Sequence, residues 1–175
     1  MVFTNSEKRI FLVAWLLVLL HAGLLLLSSY NHRYLNLDIE AKRFVDTLPV
    51  RDLTQDSKVM DYLAKHPVYL SLSTTPQRIK QLVNVLRLID TQFITTIFVN
   101  IPEKFRNIQN YDIPVSLITL PKVTIQRIGR DLGPISKSLP TIEYALAVDP
   151  KALIITIDDD YLYPRGVVNE HIYAL

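Results

Sequence analysis

Ile10 to Leu27 is a run of 18 residues whose only polar side chain is His21. As a helix rising ~1.5 Å per residue it is about 27 Å long, close to the ~30 Å thickness of a bilayer's hydrocarbon core. The run therefore predicts a transmembrane helix over residues 10–28, behind an N-terminal tail over 1–9. Lys8 and Arg9 on one side, and Tyr30, His32, Arg33 and Tyr34 on the other, suit the headgroup level. A cleaved signal peptide has a shorter apolar region, about 7–15 residues, and a small-residue cleavage site. This run is longer and leads into Ser28-Ser29-Tyr30, so the expectation is an uncleaved signal anchor in the lipid bilayer. A buried core helix is disfavoured because the remaining chain is too small to enclose it. Lys8 and Arg9 are nearly balanced by Arg33, Lys42 and Arg43. The short tail then argues for a cytosolic N-terminus and a single-pass, type II protein.

The anchor accounts for a hydrophobic fraction of 49%, high for a soluble domain. The chain has no cysteine, which excludes a disulfide scaffold and any Cys-ligated zinc or iron–sulfur site. With 19 basic against 17 acidic residues the formal charge is +2, too little to create a field for a nucleic acid, and no such partner is expected. Residues 29–66 are polar and mixed in charge and read as a stem or linker, with a short helix from Ser57 to Lys65 ahead of Pro67. The domain proper is expected over 67–175.

From Val68 the hydropathy pattern alternates between strand and helix. Val68–Ser73, Thr95–Ile101, Val123–Ile128 and Ala152–Ile157 read as strands. Ile79, Leu82, Val83, Leu86 and Ile89 recur at helical spacing between Pro76 and Gln92, and Leu139–Val148 reads as another helix. Glu103–Gln109 suggests a short helix and Pro114–Leu120 an irregular or extended link. The fourth strand is apolar on both faces apart from Thr156, as in the buried centre of a parallel sheet. The fold class expected is α/β, with a mostly parallel, Rossmann-like sheet. In such sheets ligands lie beyond the carboxyl ends of the strands.

Three motifs sit at those ends. The first is Asp158-Asp159-Asp160, directly after the fourth strand and followed by Tyr161-Leu162-Tyr163-Pro164. Adjacent carboxylates repel, and a hard divalent cation such as Mg²⁺ or Mn²⁺ relieves that repulsion. Side-chain alternation puts Asp158 and Asp160 on one side and Asp159 on the other. The plainer alternative is a solvated acidic turn. The second motif is Ser73-Thr74-Thr75-Pro76-Gln77-Arg78. Thr75 with Pro76 suits a helix start, where Arg78 can contact a phosphate, although a well-capped helix explains the same residues. The third is Arg127-Ile128-Gly129-Arg130-Asp131-Leu132-Gly133-Pro134, continuing to Ser136-Lys137. In this shaped loop Asp131 can accept from a ribose or base. Lys137, in the first turn of a helix where the dipole disfavours a cation, points to an anionic partner.

Taken in order, these stretches resemble the donor-binding half of bacterial and viral glycosyltransferases with the GT-A fold. Members carry a Thr-Thr-Pro-x-Arg stretch, an Asp-x-Gly-Pro-x-x-Lys loop and an Asp triplet followed by Tyr-Pro. The matching residues here are Thr74, Thr75, Pro76 and Arg78; Asp131, Gly133, Pro134 and Lys137; and Asp158, Asp159, Asp160, Tyr163 and Pro164. The resemblance spans Val68 to Leu175. It implies transfer of a sugar from a nucleotide-sugar donor, with Mn²⁺ or Mg²⁺ bridging the diphosphate. It implies donor binding by Thr74, Thr75, Arg78, Asp131, Lys137, Asp158 and Asp159, and metal ligation by Asp160 with Asp158. The family fold continues past the triplet into acceptor-binding elements. The resemblance therefore implies the donor half of an enzyme, truncated after the metal-binding motif, and no catalytic base is assigned.

Two other classes fit less well. Asp158-x-Asp160 after an apolar strand also suits an aspartate-dependent phosphotransferase or phosphatase. Such chemistry usually wants a small hydroxylated residue next, and Tyr161-Leu162 follow instead. A non-catalytic, membrane-anchored remnant or nucleotide-binding module is the third reading.

Overall fold

The computed structural model describes residues 50–106 and 109–174. The proposed anchor at 10–28 and the first part of the stem lie outside these. Among the described residues no helix is long and apolar enough to cross a membrane.

Among the described residues four strands form one all-parallel sheet: β1 (Val68–Ser73), β2 (Thr96–Pro102), β3 (Val123–Ile128) and β4 (Leu153–Thr156). Their order is β3-β2-β1-β4. Among the described residues five α-helices accompany them: α1 (Ser57–Lys65), α2 (Ile79–Leu88), the single turn α3 (Val115–Ile118), α4 (Leu139–Val148) and α5 (Val167–Tyr173). The α/β class and the parallel sheet agree with the sequence reading. β2 and β3 extend the sheet to one side of β1 and β4 extends it to the other. The strand order therefore reverses between β1 and β4, where a parallel sheet opens a crevice at its carboxyl edge.

Alternation along the strands sorts the side chains. Val68, Leu70 and Leu72 of β1, with Ile97, Val99 and Ile101 of β2, face one layer and are almost fully buried. They pack with Ile79, Leu82 and Leu86 of α2, Leu117 of α3, and Val168 and Ile172 of α5. The opposite face carries a smaller cluster, Tyr69, Phe98 and Ala145, under α4. Leu53 and Val59 also belong to the large core. The compact unit accordingly runs Leu48–Leu175, taking in residues that the sequence reading gave to the stem.

Several local expectations are corrected. β4 is an edge strand, not the centre, among the described residues, and within it only Ile155 is buried. α2 stops at Leu88, short of Gln92, because the Asp90 carboxylate accepts from the Gln92 N–H at 2.9 Å and so offers the backbone a turn. α2 also starts at Ile79, with no side-chain cap from Thr75. The Thr75 carbonyl instead accepts from Arg78 and Ile79, each at 3.0 Å. Of the expected helix Glu103–Gln109, the described residues are not helical, and Phe105 and Gln109 form an antiparallel bridge. The Pro114–Leu120 link contains a helical turn whose Leu117 is fully buried. α1 has the bounds expected, set by Asp56, whose carboxylate accepts from the N–H groups of Lys58 and Val59.

Leu70 is inaccessible to solvent at the centre of the larger layer. Leu70→Ala should cost about 2–5 kcal/mol of unfolding free energy, through lost burial and the cavity left behind. Denaturant titration of the full chain in detergent measures this.

Candidate anion and metal site at the carboxyl edge of the sheet

The crevice between the ends of β1 and β4 is a cleft of about 360 Å³. Thr74, Thr75, Arg78, Asp131, Lys137, Asp158 and Asp159 all line it. Three stretches far apart in sequence meet there because β1 and β4 are paired neighbours, while the loop after β3 returns over their ends. Asp160 lies just outside the lining and is joined to it through Arg78.

The triplet splits as its alternation demands. Asp159 turns inward and is 5% exposed, whereas the side chains of Asp158 and Asp160 are more than half exposed. Buried carboxylates need partners, and Asp159 has two. The Thr74 hydroxyl donates to its Oδ2 at 2.5 Å, and Arg78 Nη2 lies 3.0 Å from its Oδ1. The other arm of the same guanidinium, Nη1, meets Asp160 Oδ2 at 2.5 Å. Lys137 Nζ donates to Asp158 Oδ1 at 2.8 Å. This bond, more than any other influence, pushes the Lys137 ammonium above its ordinary pKa and keeps it charged. Arg78 and Lys137 thus offset two of the triplet's three negative charges from within the chain. The anionic partner inferred for Lys137 is, in this structure, Asp158. Lys137 itself ends a 3-10 turn, Gly133–Lys137, ahead of α4 rather than inside its first turn.

Asp131 shapes the rim. Its Oδ1 accepts from the Gly133 N–H at 2.8 Å and its Oδ2 from the Arg106 N–H at 3.1 Å. Both oxygens are therefore engaged with the loop, although each keeps lone-pair capacity for a ligand hydroxyl. Gly133 has φ +63°, a conformation that a side chain disfavours, which accounts for glycine at that turn. Thr75 contributes its backbone turn and lines the cleft beside Thr74.

Sequence reasoning missed Phe105, Arg106 and Tyr111, which also line the cleft. The Tyr111 hydroxyl donates to the Thr74 carbonyl at 2.9 Å. Burial, with Asp131 adding to it, pushes this phenol up to about 12. Tyr163, noted in the sequence only as part of the resemblance, accepts the Asp158 N–H through its hydroxyl at 2.7 Å and so pins the start of the triplet. An isolated aromatic in a loop carries no spacing signal, so only folding shows what it touches.

The donor set suits a hard cation in one respect. Asp158 and Asp160 are exposed carboxylates, each with one oxygen in an ion pair and the other open. Mg²⁺ and Mn²⁺ are commonly held by one or two such groups together with phosphate oxygens. Among the described residues no three carboxylate or imidazole groups converge as a ready-made cage.

Arg78→Met leaves the buried Asp159 with Thr74 alone and should cost about 1–3 kcal/mol, read by denaturant unfolding. The folded-state pKa of Tyr111, about 12, lies above the ordinary tyrosine value of 10.0. Folding therefore favours the neutral phenol. That contribution is complete below pH 10 and is lost as pH rises toward 12. Tyr111→Phe should flatten the alkaline fall in stability and remove one late-titrating phenolate from the absorbance titration. No family model, curated protein or solved structure matches the chain.

Proposed function

We infer that the protein is a membrane-anchored glycosyltransferase component whose cleft binds the diphosphate of a nucleotide-sugar donor. One observation carries this reading. Two cationic side chains, Arg78 and Lys137, stand beside the Asp triplet in a single cleft at the strand-order reversal of a parallel sheet. Arg78 offers a planar fork of donors and Lys137 a mobile ammonium, the two usual partners of phosphate oxygens. Asp131 and the rim residues Phe105 and Tyr111 offer acceptor and aromatic surface for a ribose and base. Asp160, with Asp158, would hold Mn²⁺ or Mg²⁺, and when bound that ion supplies Lewis-acid help to a departing diphosphate. Binding such a complex requires Lys137 and Arg78 to share their donors between the carboxylates and the phosphate. The exposure of both ion pairs allows it. The apolar run at 10–28 would hold the domain at the membrane, with the N-terminus cytosolic.

A second reading, a nucleotide-binding module without turnover, is favoured by the same ion pairs. They offset two of the triplet's three negative charges without any ligand.

The full chain, purified in detergent, should bind at least one of UDP, GDP, ADP, CDP and dTDP in calorimetric titrations containing Mn²⁺. Binding should weaken when Mn²⁺ is chelated, and Asp160→Ala should abolish that metal dependence. Failure to bind any of the five overturns the diphosphate reading. Release of sugar from the matching sugar nucleotide separates an enzyme from a binding module.

A further inference from the structure

The sheet face under α4 changes character along its strands. Near their amino ends, Tyr69 of β1, Phe98 of β2 and Tyr144 of α4 pack ring against ring, with centroids 5.3, 5.7 and 4.9 Å apart. Two residues further along, Ser71 and Asn100 occupy the same face. Both are fully buried, as is Thr141 from the first turn of α4. Polar side chains in a dry layer destabilise it unless they are paired.

The hydroxyls of Ser71 and Thr141 and the amide nitrogen of Asn100 are paired, and toward one place, while the Asn100 Oδ1 has no partner among the described residues. The Ser71 hydroxyl donates to the Lys137 carbonyl at 2.5 Å. Ser71 Oγ lies 2.6 Å from Thr141 Oγ1. Because the Ser71 proton is committed to Lys137, Thr141 must be the donor in that contact. Asn100 Nδ2 lies 3.1 Å from Ser71 Oγ, 3.2 Å from Thr141 Oγ1 and 3.4 Å from the Lys137 carbonyl. Every donor in the cluster is thus directed at the Lys137 carbonyl oxygen or at a hydroxyl that serves it. Alanine or valine would fill the same space without any polar group. What the polar choice adds is the placement of one main-chain oxygen. That oxygen belongs to the residue whose Nζ stands at the mouth of the cleft against Asp158.

We propose that Ser71, Asn100 and Thr141 are positioning residues that act through the Lys137 carbonyl. They hold the end of the Gly133–Lys137 turn so that the Lys137 ammonium meets the phosphate oxygens of an anionic ligand. A lysine side chain has many rotamers. Holding its main chain in place leaves only side-chain torsions to be ordered when the ligand arrives. This inference deepens the diphosphate-binding reading and rests on it.

The test compares wild type, Thr141→Val, Thr141→Ser, Lys137→Met and the double variant Lys137→Met/Thr141→Val. Each is the full chain in detergent, titrated with the same five nucleoside diphosphates and Mn²⁺, with thermal unfolding recorded alongside. Valine preserves the volume of threonine, and Ser71→Ala serves as the parallel variant if Thr141→Val does not fold. Thr141→Val should weaken binding by about three- to tenfold. Thr141→Ser should restore it. In the Lys137→Met background the valine should cost nothing further, because the route through Lys137 is gone. If Lys137→Met binds too weakly to titrate, amide exchange over Gly133–Lys137 decides: faster exchange in Thr141→Val supports the proposal and unchanged exchange overturns it. Equal affinity in wild type and Thr141→Val, or a loss that persists undiminished without Lys137, also overturns it while leaving diphosphate binding intact. No binding by wild type overturns the diphosphate reading, and this inference with it.

Discussion

A single guanidinium joins the two halves of the site. Arg78 stands just ahead of α2 on the chain leaving β1, and its two Nη atoms reach Asp159 and Asp160 on the chain leaving β4. Asp159 is buried, and that guanidinium and the Thr74 hydroxyl are its partners inside the protein. The clasp spans the position where the order of strands reverses. The paired register of β1 and β4 ends just before it, at Ser71 and Thr156, with the Ile157 N–H donating to the Ser71 carbonyl at 3.1 Å. Without it, three neighbouring carboxylates would repel at the open end of the sheet.

The cleft is built outward from that clasp in two directions. On one side Tyr111 reaches the Thr74 carbonyl and Tyr163 receives the Asp158 N–H, so two phenols steady the backbone on either side of the ion pairs. On the other side the loop after β3 folds back, with Asp131 tying Gly133 to Arg106. The turn it forms ends at Lys137 over Asp158. The buried Ser71, Asn100 and Thr141 lie directly beneath that turn. The same sheet therefore has an aromatic floor under the middle of α4 and a polar floor under the loop that carries the cation.

Much of this was legible in advance because it is local. β1 and β3 have the bounds that hydropathy alternation assigns, and α1 and α4 those of their caps and periodicity. The clustering of Thr74, Arg78, Asp131, Lys137 and the Asp triplet followed from a general property of parallel sheets, that strand ends share one edge. The errors had both local and distant causes: the Asp90 carboxylate ends α2 early by accepting from the Gln92 N–H, and elsewhere a distant partner outweighed local preference. Glu103–Gln109 has no strong helical signal of its own, and Asp131 captures the Arg106 N–H. β4 looked central because its run is apolar, yet it lies at the sheet edge with only Ile155 buried, so an apolar run alone does not place a strand in the sheet.

From the sequence came the alternation of strands and helices, the apolar face of each strand, and which charged residues stand at strand ends. Those are properties of neighbouring residues along one chain. Which charges pair was decided only by the tertiary structure. Arg78 and Asp160 are 82 residues apart, and Lys137 and Asp158 are 21 apart. Their contact depends on β4 lying beside β1 and on the turn ahead of α4 being held over it. A triplet of aspartates reads in sequence as a demand for a cation. Only the packing of three separate segments shows that the chain brings two of its own.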